Sequence, residues 1–204
     1  MLQQLHAQTI FNYLYAAVDG NEVWRQANAK AGFDTEKILY GEVPFSSWLK
    51  IVDWAQPKKD GIFFDLGSGI GRVVFAAFLA HKFSKNIGIE LLDGLHQQAL
   101  KTKNEFDLKI AQQISKKLGA KKIDFYRQNI FETDLSEADF IFMNHPFKEG
   151  ENFIRLEEKF LKELRPKTRI VTTIRALQNQ GFTSLGKKEF QFSWGKTPAY
   201  LFEL

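Results

Sequence analysis

The chain has 204 residues, 44% of them hydrophobic, which suits one domain with a full core and is too short for two domains of ordinary size. It contains no cysteine, so disulfides, thiolate chemistry and cysteine-ligated zinc are excluded, and no apolar run approaches the roughly 18 to 20 residues of a membrane span. The first residues lack the basic start and continuous apolar stretch of a signal peptide. We therefore expect a cytoplasmic protein with no membrane partner, and we expect it to be a monomer.

The net charge is +4 and the isoelectric point is near 9.1. These values are compatible with an acidic partner but do not by themselves predict one. Lysines concentrate between residues 101 and 122 and recur at Lys187, Lys188 and Lys196. Such runs indicate solvated helix faces more often than a nucleic-acid surface, so nucleic acid is the less favoured partner. The histidines at positions 6, 81 and 96 show no metal-ligand spacing, and we predict no metal site.

The N-terminal part of the chain is predicted to be a small helical appendage. Apolar residues recur at three- and four-residue steps, which predicts an amphipathic helix over residues 2–18. A second, shorter helix is predicted over residues 22–31. We accordingly expect an appendage at residues 1–33 and a main domain at residues 34–204.

Strand and helix patterns alternate through the main domain, which is typical of a parallel sheet. The predicted strands are 62–66, 86–90, 123–127, 139–143, 169–174, 189–194 and 198–204. The predicted helices of this domain lie between about Pro44 and Pro57, at 70–82, at 94–118 and at 150–164. No helix separates the last two strands, which therefore read as a hairpin-like pair.

A glycine turn follows the first predicted strand. Such a turn lets the backbone approach a small ligand closely, although any tight connection from strand to helix can also use glycine. The glycines fall at 67, 69 and 71, whereas the dinucleotide fingerprint needs its third glycine at the position of Arg72. This register argues against NAD as the ligand.

An acid ends the next predicted strand. Glu90 lies about 25 residues after Asp65, the spacing at which a strand-helix-strand unit places a carboxylate beside a ribose. A carboxylate at that position accepts hydrogen bonds from both ribose hydroxyls. The acid and the glycine turn together predict a site for a ribose-containing ligand.

The glycine turn is similar to the D-x-G-x-G-x-G turn of class I methyltransferases. The resemblance implies S-adenosylmethionine as the cofactor, with its methionine part at the glycines and its ammonium near the preceding carboxylate. It also implies an α/β fold, with a Rossmann-like, mostly parallel seven-stranded sheet, an antiparallel last strand and helices on both faces. The residues implied for the amino-acid end of the cofactor are Asp65, Gly67, Ser68, Gly69 and Gly71.

Further segments narrow the resemblance. They are Tyr40-Gly41-Glu42, Gly88-Ile89-Glu90, the stretch from Asn144 to Phe147, and Ser193-Trp194-Gly195-Lys196-Thr197-Pro198-Ala199-Tyr200. With the glycine turn, they resemble the non-SET lysine methyltransferases of the disruptor-of-telomeric-silencing type over roughly residues 36 to 204. The chain is also similar to small seven-strand lysine methyltransferases of prokaryotes over residues 134–139 and 165–171.

This resemblance implies roles for residues around the cofactor. Tyr40, Gly41 and Glu42 would form a loop that closes over it, and Glu90 would hold its ribose. Asn144 would contact the cofactor as well as the acceptor. Asn129 and Ile130 would lie at the adenine, where the family commonly has an aspartate and an aromatic residue. An asparagine can accept a hydrogen bond from the adenine amino group through its side-chain carbonyl.

On the acceptor side, the resemblance implies a passage in which a substrate amine meets the methyl group. Asn144 and Phe147 would line it, and Phe147, Trp194 and Tyr200 would make it aromatic and poor in acids. A lysine amine has a pKa near 10.4 in water and must be neutral to attack, and desolvation lowers that pKa. The implied function is protein-lysine N-methylation, with a protein as partner. Plain core packing is the alternative explanation for the three aromatic residues.

Two other functions stay open from the sequence. Asn144-His145-Pro146-Phe147 also resembles the N-P-P-Y type motif of enzymes that methylate planar nitrogens, which would make the chain an N-methyltransferase for adenine in nucleic acid or for protein glutamine. The chain could also be a cofactor-fold protein that has lost catalysis and serves as a binding module. The intact Asp65, glycines and Glu90 argue against that last reading.

Overall fold

A computed structural model describes residues 4–31, 40–81, 83–144 and 150–204. The helices are α1 (Gln4–Tyr15), α2 (Gly20–Ala29), α3 (Phe45–Ala55), α4 (Arg72–Ala80), α5 (Asp93–Phe106), α6 (Gln112–Leu118) and α7 (Gly150–Glu163). The strands are β1 (Ile62–Leu66), β2 (Lys85–Glu90), β3 (Lys122–Arg127), β4 (Phe140–Met143), β5 (Arg169–Thr173), β6 (Thr183–Phe192) and β7 (Gly195–Glu203). A π-helical turn, Asp107–Ala111, joins α5 to α6.

The strands form one seven-stranded sheet in the order β3-β2-β1-β4-β5-β7-β6. The first five strands pair in parallel, whereas β7 is antiparallel to both β5 and β6. The predicted fold class, a mostly parallel seven-stranded sheet with an antiparallel last strand, is confirmed. The chain order reverses at β1, which lies between β2 and β4. The carboxyl ends of these strands therefore form the switch point at which open α/β sheets bind ligands.

The largest error in the predicted elements concerns β6. This strand begins at Thr183, whereas the sequence pattern predicted a start at Glu189. Most residues from 183 to 188 are exposed, and the register shifts between Ser184 and Gly186, whose φ is 142°. An edge strand that is solvated on both faces and carries a bulge shows no hydrophobic alternation, so periodicity cannot reveal it.

Alternate strand residues supply two hydrophobic cores, one on each face of the sheet. Phe63 packs with α1, α3, α4 and α5 on one face. Its neighbour Phe64 packs with α7 on the other. The predicted helices on both faces are therefore confirmed.

The N-terminal helices share the main core. Phe11 of α1 packs against Phe45 of α3, with ring centroids 5.0 Å apart and the rings tilted by 45°. Helix α2 lies so close to α5 that a Cβ on Gly94 would be 2.8 Å from the Cβ of Ala27. These helices form a wall of the main domain, and the boundary predicted between residues 33 and 34 falls outside the described residues.

Within the described ranges, none of the helices combines the length and the apolar character that crossing a bilayer requires. The same ranges contain no group of three or more histidine, aspartate or glutamate side chains arranged to hold a metal ion.

Candidate functional site

A cavity opens at the switch point, beside the carboxyl ends of β1, β2 and β4. It contains about 890 Å³ of empty space, counted out to its solvent-exposed mouth. The lining residues are Tyr40, Gly41, Glu42, Val43, Asp65, Gly67, Ser68, Gly69, Ile70, Arg72, Val73, Ile89, Glu90, Leu91, Leu95, Asn129, Ile130, Phe142 and Asn144. Segments that are far apart in the sequence, and that were predicted to bind the cofactor, thus border one space.

The glycine turn between β1 and α4 is tied to the end of β2. The N–H groups of Gly67 and Ser68 both donate to the Ile89 carbonyl, at 2.9 Å each. Gly69 has a φ of +55°, and a Cβ there would lie 3.1 Å from the Tyr40 ring. The backbone of the turn is therefore presented to the cavity without side chains at its glycines.

Gly71 differs from the other glycines of the turn, because it does not line the cavity. A Cβ on Gly71 would lie 2.7 Å from the Phe125 ring of β3. This glycine permits close packing between the start of α4 and the sheet, so it supports the turn from behind.

The two predicted acids differ in their hydrogen bonding. Each Glu90 oxygen accepts one backbone N–H, from Gly69 and from Leu92, at 2.8 Å in both cases. Asp65 is only 3% exposed, and among the described residues no hydrogen-bond donor reaches its carboxylate. Burial, and then the Glu90 charge, raise the pKa of Asp65 well above its ordinary value. Burial also raises the pKa of Glu90, while its backbone donors oppose that shift.

A buried hydroxyl completes this part of the cavity. Ser68 Oγ is buried without a hydrogen-bond partner in the described part of the chain. A carboxylate without a protein donor, an unpartnered hydroxyl and a side-chain-free turn are the groups that an ammonium and a nucleoside need. The residues present therefore fit S-adenosylmethionine.

The Tyr40-Gly41-Glu42 loop crosses the mouth of the cavity. The Tyr40 hydroxyl donates to Glu42 Oε1 at 2.8 Å, and Glu42 Oε2 lies 3.6 Å from Arg72 Nη1. Burial, and then the Glu42 charge, raise the pKa of Tyr40 far above its ordinary value. The loop is thus held to the start of α4 by a charged contact.

The N-terminal helices support both ends of that contact. The Arg72 guanidinium lies over the rings of Phe11 and Tyr15, at 5.1 and 4.7 Å from their centroids. The Tyr40 ring stacks on Trp24, at 6.4 Å, and a Cβ on Gly20 would lie 2.0 Å from the Tyr40 hydroxyl. Helices α1 and α2 therefore contribute directly to the cofactor side of the site.

Asn144 connects β4, β5 and the loop. Its Nδ2 donates to the Gly41 carbonyl at 3.0 Å, and its Oδ1 accepts from the Thr173 hydroxyl at 2.8 Å. A carbonyl can only accept, so the Gly41 contact fixes which side of the amide faces the loop. Thr173 is fully buried at the end of β5. The sequence analysis missed this threonine, whose contact partner lies 29 residues away.

The turn between β6 and β7 contacts the same loop. Ser193 N–H donates to the Glu42 carbonyl at 3.1 Å, and Glu42 N–H donates to Ser193 Oγ at 3.2 Å. The Trp194 ring lies against Gly41, where a Cβ would be 2.2 Å from its Cζ3, and the residue is 45% exposed. Trp194 therefore stands at the rim, outside the cavity lining.

The adenine candidates also border the cavity. Asn129 Oδ1 accepts from the Phe131 N–H at 3.0 Å, which forms a turn of the asparagine type. The carbonyl that was predicted to meet the adenine amino group therefore already accepts one backbone hydrogen bond and keeps a second acceptor site. Ile130 is buried and packs in the α7-side core.

The remaining aromatic residues were predicted to form the acceptor channel. Tyr200 is not brought to the cavity: on β7 its side chain alternates to the α7 face, where Lys187 Nζ lies 5.3 Å from the ring centroid. Phe147, with His145 and Pro146, lies outside the described residues. Of the three aromatic residues predicted to form the channel, Trp194 is thus the one that the described structure places at the rim of the cavity.

Sequence reasoning missed lining residues as well, among them Val43, Arg72 and Phe142. Arg72 carried a usable signal, because a basic residue in the first turn of a helix opposes the helix dipole and needs another reason to be there. Nothing distinguishes Phe142 from the other phenylalanines of the strands.

Known proteins support the same fold and family. A family model described as Histone methylation protein DOT1 matches residues 28–191. A protein-lysine N-methyltransferase of Saccharolobus islandicus (strain REY15A) is 29% identical over 135 residues, which are 66% of this chain and 75% of that protein. An H3 lysine-79 specific histone-lysine N-methyltransferase of Caenorhabditis elegans is 30% identical over 137 residues, which are 66% of this chain and 14% of that protein.

The solved structures include an RNA methyltransferase from Salinibacter ruber in complex with S-adenosyl-L-homocysteine. It superposes with a TM-score of 0.60 at 22% identity, over 79% of this chain and 92% of that one, a likeness that shows the fold alone. Because the family model spans most of the sequence, from residue 28 to residue 191, this chain belongs to the DOT1 family of class I, S-adenosylmethionine-dependent methyltransferases.

Proposed function

We propose that this chain transfers a methyl group from S-adenosylmethionine to the ε-amine of a lysine in a protein. The observation that carries the proposal is the similarity to the archaeal protein-lysine N-methyltransferase, of which the chain spans 75%. The chemistry of the cavity and of its rim supports the proposal independently.

The buried acids are proposed to hold the two ends of the cofactor. S-adenosylmethionine supplies an electrophilic methyl group on a positively charged sulfonium. Asp65, which accepts no hydrogen bond from the described residues, would hold the ammonium. Each Glu90 oxygen has used one of its acceptor sites and retains capacity for the ribose hydroxyls. Asn129 and Ile130 would border the adenine.

The loop from Tyr40 to Glu42 is proposed to cover the bound cofactor. Its contacts to Arg72 and to Trp24 support this role, because they hold the loop across the mouth of the cavity. A covered cavity excludes water, and exclusion of water strengthens the electrostatic contacts inside it.

The acceptor side must deliver a neutral amine. A lysine amine is almost fully protonated at neutral pH, so a site that desolvates it favours the reactive form. The rim beside Gly41 offers the Asn144 amide and the indole of Trp194, which do not stabilise an ammonium as a free carboxylate would. The neighbouring Glu42 carboxylate is engaged by the Tyr40 hydroxyl and by Arg72. We also propose that Phe147 forms a further wall of the passage through which the lysine amine reaches the methyl group.

Asn144 is proposed to orient the incoming nitrogen. Its Oδ1 accepts one hydrogen bond from Thr173 and keeps a second acceptor site, and its Nδ2 is committed to Gly41. An acceptor in a fixed position aligns an amine without acting as a strong base, so rate enhancement here comes mainly from positioning.

Product analysis tests the proposal. The purified protein is incubated with methyl-tritiated S-adenosylmethionine and a total cell extract that contains both protein and nucleic acid, with Glu90→Ala as the matched control. We expect label that survives nuclease digestion and appears as methyl-lysine after hydrolysis, at a rate that rises with pH through the neutral range. Label recovered as methyladenine or methylglutamine would show that the acceptor is not lysine. If wild type incorporates no more label than Glu90→Ala, the proposal that this chain is catalytic would be contradicted.

A further inference from the structure

The turn that follows β5 contains an unusual backbone conformation. Ile174 has a φ of +67°, in the left-handed region that glycine and asparagine tolerate and that β-branched residues rarely adopt. The residue is also 43% exposed, so its side chain does not fill the core. Strained residues of this kind are concentrated at functional sites, which makes the observed outlier a reason to look for a role.

Contacts on both sides hold the strained turn in place. The Ile174 N–H donates to the Pro198 carbonyl of β7 at 2.8 Å. The Thr172 hydroxyl donates to the Arg175 carbonyl at 2.6 Å, and the Arg175 N–H donates to the Thr173 carbonyl at 2.7 Å. The backbone conformation is therefore fixed by its surroundings.

The turn lies next to the acceptor side of the site. Thr173, the preceding residue, donates to Asn144, which in turn donates to Gly41, and Gly41 lies under the Trp194 ring. Two exposed apolar residues thus flank this chain of contacts: Trp194 contacts Gly41, and Ile174 is the next residue along the backbone after Thr173.

We propose that Ile174 is a specificity residue that packs against the aliphatic stem of the target lysine. The inference rests on the proposed lysine acceptor. A lysine has four methylene groups, and an apolar contact on the stem binds it without stabilising the charge on its amine. The strained, exposed isoleucine beside Thr173 then has a use that glycine, the residue suited to its backbone, could not provide.

Stability and substrate affinity are predicted to change in opposite senses in Ile174→Gly. Glycine relieves the left-handed backbone, so the melting temperature should rise by about 1 to 3 °C. Loss of the apolar contact should raise the apparent KM for protein about fivefold to tenfold, with the affinity for S-adenosylmethionine unchanged. Ile174→Val keeps both the strain and the apolar surface, and its KM should stay within about twofold of wild type.

Lys167→Gly is the matched control. Lys167 also has a left-handed φ, of 71°, but it precedes β5 and lies at the opposite edge of the sheet. The assay uses nuclease-treated total protein extract as the probe, with methyl-lysine as the readout. The control should raise the melting temperature without changing KM.

Three outcomes would overturn the inference. They are an unchanged KM in Ile174→Gly, an equal rise of KM in Lys167→Gly, and a KM in Ile174→Val that rises as much as in Ile174→Gly. Wild type that forms no methyl-lysine from this extract would instead remove the proposed function, and the inference with it.

Discussion

The cofactor side and the acceptor side of this site are built in different ways. On the cofactor side, the Asp65 to Gly71 segment and Glu90 belong to one strand-helix-strand unit, and the Gly69 contact to Glu90 spans 21 residues. On the acceptor side, the contacts between Asn144 and Gly41 and between Ser193 and Glu42 span 103 and 151 residues. The cofactor side is therefore built from residues that are close in the sequence. The acceptor side is built from residues that the fold brings together from distant parts of the sequence.

This difference predicts different consequences of mutation. Removing a charged acceptor from the cofactor side should cost binding free energy, because the lost groups are buried and directed at the ligand. Removing a hydrogen bond from the acceptor side should leave the cofactor bound and slow the transfer, because only the alignment of the amine changes.

Glu90→Ala should have the largest effect. The change would remove the two charge-assisted hydrogen bonds that are proposed between Glu90 and the ribose, worth about 2 to 4 kcal/mol, or roughly 30- to 1,000-fold in affinity. Isothermal titration with S-adenosylmethionine measures it, and Glu137→Ala, an exposed acid near β2, is the control. Unchanged affinity in Glu90→Ala would mean that the ligand lies elsewhere.

Asp65→Asn should weaken cofactor binding about tenfold to a hundredfold and should stabilise the ligand-free protein. The folded-state pKa of Asp65 is raised, so the folded chain holds a proton that the unfolded chain releases, and stability falls as the pH rises through that raised pKa. Asparagine does not titrate. At pH 8 we therefore expect the ligand-free variant to melt about 2 to 5 °C above wild type.

Calorimetric scans from pH 5 to 8 test the sign of this effect. The advantage of the variant over wild type should shrink as the pH falls, because the raised pKa of Asp65 makes the folded state of wild type more favourable at lower pH. A variant that is less stable than wild type at pH 8 would show that the folded protein stabilises the charged carboxylate.

Thr173→Val should act on the acceptor side alone. Valine has nearly the same shape as threonine but cannot donate to Asn144 Oδ1, so we expect kcat to fall about tenfold with cofactor affinity within about twofold of wild type. Thr173→Ser restores the hydroxyl and should restore most of the rate. Equal losses in both variants would point to a packing defect instead of the lost hydrogen bond.

The smallest effect is expected in the loop that joins the two sides. Hydrogen exchange at Glu42 and Val43 should slow at least about threefold when cofactor binds, because a covered loop opens less often. Helix α3, which follows the loop and is largely buried, should not change. Equal exchange of the loop with and without cofactor would contradict its role as a cover.

The sequence predicted the parts of the molecule that local patterns determine. The strand and helix alternation, Asp65, the glycine turn and Glu90 are all visible in contiguous segments, and they meet at one switch point. The early start of β6, the position of Tyr200 and the role of Thr173 were not predictable in this way. They depend on which strands are neighbours and which face each residue takes, and a single strand carries neither kind of information.

Arg72 was only partly predictable from local patterns. Its sequence position beside the glycine turn is local, but its partners Phe11, Tyr15 and Glu42 come from α1 and from the loop. The helices predicted as an appendage therefore matter to the site through a cation whose only predicted significance was that it occupies the third-glycine position of the dinucleotide fingerprint.

The most direct test of the difference between the two sides is the affinity of Asn144→Ala for S-adenosyl-L-homocysteine, measured by isothermal titration. The same variant should form little methyl-lysine, since it lacks the amide that orients the amine. We expect a dissociation constant within about fivefold of wild type, because Asp65, Glu90 and the glycine turn are intact. A loss as large as that of Glu90→Ala would contradict this difference between the two sides, since Asn144, which also borders the cavity, would then contribute as much to cofactor binding as Glu90.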